Sequence, residues 1–359
     1  MPEKKNQHFV SRCALKPFSL DGAGLAINVL NISRGLPIEN APVKNQCARN
    51  YLYGKGDASA EDLLTRLEGQ YARIVSHLSD GGDVSAADEE WLRLFIAIQQ
   101  RRTKSAISQM RELTHSMADK VFARAPEHRP DEINRTDAQM MHASLALAME
   151  FLKYEADLKL AILANQTKID FVICDHPAVL TNRFYFQRLN EQRFGVSSSG
   201  AMISMPLSPR LSLMAYDQNV YTMPNAIGRA GVDLTRIDDV YAMNQIQYLN
   251  ADKNIYFRSW NDAERISSEV SALAKMRAQV GAFSQVLVRD YNHHGQEVYR
   301  RGSTDEEANA KETIVMTSFR QPEPPNWPSV LEFRSKPRTF FNGSAVGHVR
   351  KADWLNPRE

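Results

Sequence analysis

Hydrophobic and polar positions change period several times along the chain, and each change predicts an element. From Leu63 the apolar residues Leu64, Leu67, Tyr71, Ile74, Val75 and Leu78 recur at the spacings of one helix face. Ser59-Ala60-Glu61-Asp62 offers a capping serine and an acidic first turn, and Gly81-Gly82 ends the pattern. Ser85-Ala86-Ala87-Asp88 repeats that cap before Trp91, Leu92, Phe95, Ile96 and Ile98. A second helix should therefore run to Arg102 and, across a kink or break, on to Phe122. Beyond a polar connector holding Pro126 and Pro130, a third begins at Thr136-Asp137. It carries Leu145, Leu147, Phe151, Tyr154, Leu158 and Ile162 on one stripe to about Asn165. Residues 59–166 read as a helical block.

On either side of this block the period shortens. Residues 8–15 lack helical periodicity, 25–32 form an apolar β-like run, and Asp21-Gly22-Ala23-Gly24 reads as the turn of a hairpin between them. Phe171-Val172-Ile173-Cys174 reads as a buried strand that ends at Asp175-His176-Pro177, because proline cannot donate to a ladder. Residues 211–216 alternate as a strand, 234–249 and 261–280 return to helix, and 283–288 and 313–317 read as strands around a polar loop, 292–309. The fold class is α+β, rich in helix, with a small mixed sheet built from the N-terminal hairpin and the central strands at 169–175 and 211–216. A single domain spans 1–320, and 321–359, proline-rich and then basic, reads as a peripheral tail.

Composition narrows the classes. With 43% hydrophobic residues in 359, the chain can bury a substantial core. Its 44 basic and 42 acidic residues leave a formal charge of +2, so no global field marks it for nucleic acid or a membrane surface. Cys13, Cys47 and Cys174 form no C-x-x-C pair, which fits a reducing compartment better than a disulfide framework. No stretch approaches the ~20 apolar residues of a spanning helix, and M-P-E-K-K-N-Q-H lacks the apolar core of a signal peptide. The expectation is a cytoplasmic protein with no membrane partner.

Candidate chemistry is sparse. His8, beside Gln7, is a side chain that titrates near neutrality and could serve as acid or base, although a surface or capping histidine is the plainer reading. Asp175 could hold a divalent cation with His176 assisting, or could simply cap a turn. Gln99 and Arg102 lie three apart on one helix and could grip a phosphate or a carboxylate, against the alternative of a solvated helix face. Gly195-Val196-Ser197-Ser198-Ser199-Gly200 misses the nucleophile elbow by one residue. His293-His294 are adjacent and point apart in a strand, and the pairs Arg101-Arg102 and Arg300-Arg301 are too short to argue nucleic-acid binding.

Several pieces, in order, resemble an uncharacterised domain-of-unknown-function family marked by an N-terminal Q-H-Y-V-P motif. Gln7-His8-Phe9-Val10-Ser11 matches that opening except that Ser11 stands where the family has proline. Leu15, Phe18, Lys44-Asn45, Tyr51-Leu52-Tyr53, the segment from Leu64 to Glu68, Phe95 to Thr103, Asp175-His176-Pro177, Leu207-Ser208-Pro209 and Asn244 follow in family order. The resemblance covers roughly residues 5–260 and implies no agreed activity, only a list of polar positions.

Those positions, drawn from strand ends and helix faces, suggest one shared cleft. The first functional expectation is a hydrolase, of metal-dependent nuclease or nucleotide-hydrolase type, acting on a phosphodiester as a bacterial antiviral-defence effector. His8 and Asp175 would be catalytic; Gln7, Gln99, Arg102, Ser208 and Asn244 would bind substrate. Asp175 and Glu68 would hold magnesium or manganese. The alternative is a non-catalytic module that binds a nucleotide, a peptide or a protein partner through the same residues, and a third reading is a buried hydrogen-bond network that ties sheet to helices.

Overall fold

The structure, a computed structural model, describes residues 6–53, 58–123, 125–223, 231–278, 280–310 and 312–355. It opens with β1 (Asn6–His8), then a single helical turn, α1 (Arg12–Leu15), then β2 (Ala26–Asn31), β3 (Leu36–Pro42) and β4 (Ala48–Asn50). The hairpin expected between 8–15 and 25–32 does not form. β1 pairs with β4, and the N-terminal hairpin is β2 with β3. Four residues of helix are too few for a period to show, which is why α1 passed as strand.

Four helices follow: α2 (Ala58–Ser79), α3 (Ala86–Arg101), α4 (Lys104–Val121) and α5 (Asp137–Phe151). Ser59 sits inside α2, whose cap lies outside the described residues. Ser85 and Asp88 close a reciprocal capping box at the start of α3, and Thr136 with Gln139 does the same for α5. The break anticipated after Arg102 is real: Thr103 turns to extended backbone and its hydroxyl accepts the Ala106 N–H, so a new helix starts. Tyr71 on α2 and Phe95 on α3 stack with centroids 3.8 Å apart. The third helix ends well short of Asn165, because 159–165 is a strand, β5 (Lys159–Asn165).

The remaining elements are β6 (Ile173–Cys174), β7 (Val179–Thr181), β8 (Met202–Ser208), β9 (Leu211–Tyr216), β10 (Tyr221–Thr222), β11 (Gly231–Leu234), α6 (Ile237–Asn250), β12 (Asn254–Phe257), α7 (Ala263–Ala272) and α8 (Ala274–Arg277). Then come β13 (Gly281–Tyr291), β14 (Glu297–Arg301), α9 (Thr304–Asn309), β15 (Thr313–Arg320) and β16 (Glu332–Phe333). A mixed sheet runs in the order β11-β5-β9-β8-β7, parallel between β11 and β5 and antiparallel elsewhere, with β8 buried along its whole length. A second, antiparallel sheet runs β3-β2-β12-β6 and a third β14-β13-β15. Strands 173–174 and 211–216 therefore belong to different sheets rather than to one. The loop expected over 292–309 contains both a strand and a helix, β14 and α9.

Residues 321–355 are not peripheral. β16 pairs with β10, and Leu331 and Val349 are fully buried. Arg350, buried to the last atom of its side chain, pairs with Asp157 at 3.0 Å and donates to the carbonyls of Tyr154, Val196 and Ser198. A buried guanidinium needs this many acceptors to offset the loss of water. Among the described residues no helix is long and apolar enough to cross a membrane.

Candidate functional site

Where β1 meets α2 there is an open cavity of about 230 Å³, lined by Gln7, His8, Arg12, Glu68 and Arg102, with Asn6, Tyr53, Leu64 and Thr65 completing the wall. It gathers four of the polar residues singled out from the sequence. The backbone that presents His8 is clamped on three sides. Arg102 Nη2 donates to the His8 carbonyl at 2.7 Å and Tyr53 Oη does so at 3.2 Å, while Gln99 Nε2 donates to the Phe9 carbonyl at 2.9 Å. Gln7 Oε1 accepts the Tyr53 N–H at 2.8 Å, and the Phe9 N–H bonds the Cys47 carbonyl. Arg102 also pairs with Glu68 at 2.9 Å, with the arginine almost wholly covered and the carboxylate 29% exposed.

The His8 imidazole is held differently from its backbone. Nε2 is buried and makes no hydrogen bond among the described residues. Burial first, and then the positive charges of Arg12 and Arg102, lower its pKa to about 4, against a weaker upward pull from the Lys44 carbonyl. The ring is thus neutral at physiological pH in a pocket that carries two cations and one anion. Such a pocket favours a small anionic ligand. It also favours protonation of His8 once that ligand's negative charge arrives, because the added charge opposes the two arginines.

Serine at position 11, where proline was the family pattern, leaves this arrangement intact. Ser11 has φ −62° and ψ 144°, within the range proline would impose, and its side chain makes no cap.

The other predicted site residues lie elsewhere. Gln99 sits behind the pocket as a brace. Asp175 does not line it: its two carboxylate oxygens accept the N–H groups of Asp252 (2.8 Å), Lys253 (2.8 Å) and Asn254 (3.1 Å), so it clamps the turn into β12. Burial raises its pKa to about 6, with the three N–H groups pulling the other way. His176 is buried with its Nδ1 2.6 Å from Thr103 Oγ1. Asn244 bridges the Asp170 carbonyl and the Val172 N–H, and Ser208 Oγ accepts the N–H groups of Arg210 and Leu211 at the β8–β9 turn. Asp175, Asn244 and Ser208 are thus spent on backbone, and His176 on Thr103. The proposed cation site fails the same test, since Asp175 and Glu68 do not share a cavity and both carboxylates are engaged. Among the described residues no three His, Cys, Asp or Glu side chains are grouped as a metal would need.

Arg12 was missed. It is exposed at the first position of α1, and only the unrecognised helical turn places it on the rim beside His8.

No curated protein and no solved structure matches the chain. A family model matches residues 6–261, a span that holds the whole His8 pocket and its braces, and the chain belongs to that family, described as "Protein of unknown function (DUF4238)".

Proposed function

We propose that the His8 pocket is the active site of a cytoplasmic hydrolase that cleaves a phosphodiester in nucleic acid or a nucleotide, with His8 as the general base. One observation carries this reading: a neutral imidazole in the wall of an open cavity that Arg12 and Arg102 also line, with its Nε2 unbonded just beneath the surface. A phosphate entering beside Arg12 would raise the proton affinity of His8. With the ring turned so that Nε2 meets the cavity, His8 could then take a proton from water as the water oxygen attacks phosphorus, and return it to the alkoxide as the ester P–O bond breaks. Positioned acid–base catalysis of this kind contributes roughly 10²–10⁴-fold.

The test is turnover of single-stranded RNA, single-stranded DNA and nucleotides by the purified chain, with and without chelator. His8→Ala should lower kcat by at least about 100-fold while the melting temperature holds. Retention of turnover in that variant would sink the catalytic role. An effector of antiviral defence would also arrest growth of a bacterial host on induced expression, and His8→Ala would relieve the arrest at equal soluble level.

A non-catalytic reading is favoured by one observation: Arg102 is already paired with Glu68 and the His8 carbonyl, which leaves Arg12 as the exposed cation of the pocket. A module that binds without turnover would lose affinity for a nucleotide in Arg12→Ala and release no product in any form.

A further inference from the structure

A second cavity, of about 580 Å³, lies between the turn joining β13 to β14 and the segment 341–343. Two of the most exposed large aromatic side chains of the molecule line it, Tyr291 at 59% and Phe341 at 54%. Exposed rings facing one cavity require an explanation, since burial of either would stabilise the fold. Each ring has one side already occupied by protein. The Arg289 guanidinium lies 5.9 Å from the centre of Tyr291, and His348 stacks on Phe341 at 4.7 Å with an interplanar angle of 11°. The rings are therefore oriented before any ligand arrives.

Carboxylates outnumber guanidiniums here: Arg300 is paired with Asp290 and Glu306, and Arg289 with Glu297 and Glu312, while His293 and His294 also line the cavity. Asn292 is spent on the turn itself, accepting the N–H groups of His294 and Gln296. Asn342 accepts the Ser344 N–H through Oδ1, but its Nδ2 is buried without a partner.

We propose that this cavity is a carbohydrate-binding site, in which neutral sugar rings pack their C–H faces on Tyr291 and Phe341. Aromatic faces carry negative charge and suit the electropositive C–H face of a pyranose. A strand of nucleic acid would also stack on the rings, but it would bring phosphates to a place where every arginine is already paired. The site is independent of the His8 pocket and does not rest on its assignment.

Native gels cast with dextran, soluble starch, galactomannan or hydroxyethylcellulose test this with the full chain. At least one glycan should retard the wild type. Tyr291→Ala and Phe341→Ala should each weaken retardation about tenfold, an amount in keeping with loss of one aromatic contact. His8→Ala should leave it unchanged. Melting temperatures close to wild type keep the variants interpretable. Retardation by none of the four glycans overturns the proposal, as does retardation that survives both aromatic substitutions. Binding of a labelled 20-mer of deoxythymidine that is lost in the same two variants would overturn it in favour of a nucleic-acid site.

Discussion

His8 and Asp175 occupy like positions, each a titratable side chain at the exit of a short strand, and the fold treats them in opposite ways. Asp175 has both oxygens filled by three backbone N–H groups, so its charge is used up in holding the turn before β12. His8 has its backbone held by Arg102 and Tyr53 and its neighbour held by Gln99, while Nε2 of the ring is left without a partner. The comparison teaches that polarity at a strand end does not distinguish a clamp from a site. The distinction lies in whether the side chain or the backbone consumes the available hydrogen bonds.

The largest expected effect comes from breaking the clamp. Asp175→Ala leaves three N–H groups without an acceptor and should cost about 3 kcal/mol or more, read from urea denaturation. A loss under about 1 kcal/mol would dissolve the contrast. Arg102→Leu removes the charge-assisted bond to the His8 carbonyl and the Glu68 pair, and should cost about 2–3 kcal/mol together with any activity of the pocket. Gln99→Ala, which frees the Phe9 carbonyl, should cost about 1–2 kcal/mol and misalign His8 without removing it. At the other end, His8→Ala should cost only about 1 kcal/mol near pH 7, since the ring bonds the Lys44 carbonyl while Nε2 satisfies nothing.

The same comparison is sharpened through pH. The folded pKa of His8 lies near 4, below its ordinary 6.5, so the unfolded chain binds more protons between those values. Its neutral, buried state contributes stability that is present above about 6.5 and lost as pH falls toward 4. Asp175, raised to about 6, has the reverse sign: the folded chain holds the proton more tightly, and stability falls as pH rises from about 4 to about 6. Urea midpoints at pH 4.5 and 7 should show His8→Ala gaining on the wild type at the lower pH. His176, also lowered to about 4 by burial, remains in both proteins and cancels from that difference.

Much of the helical framework was legible beforehand. The capping pattern at Ser85, the helix start at Thr136 and the break after Arg102 follow from residues no more than four apart, and they formed as read. The site was legible in part. His8, Gln7, Arg102 and Glu68 do converge on one cavity, whereas Gln99 supports it from behind, and Asp175, Ser208 and Asn244 are spent on backbone elsewhere. Nothing local signals that difference, because the partners of Asp175 lie 77 to 79 residues further along the chain.

By itself, then, the sequence determined what short-range spacing can encode: amphipathic stripes, caps and the alternating period of β9. Tertiary structure decided the rest. Lys159-Leu160-Ala161-Ile162-Leu163-Ala164-Asn165 has apolar residues enough for either a helix or a strand, and it became β5 because β9 and β11 supply a ladder on both sides. Arg350 reads as one more basic residue near the end of the chain, and it is buried because Asp157 and three carbonyls meet around it. A charge or an ambiguous apolar run takes its role from the partners that long-range packing brings to it, and those partners are absent from its own neighbourhood in the chain.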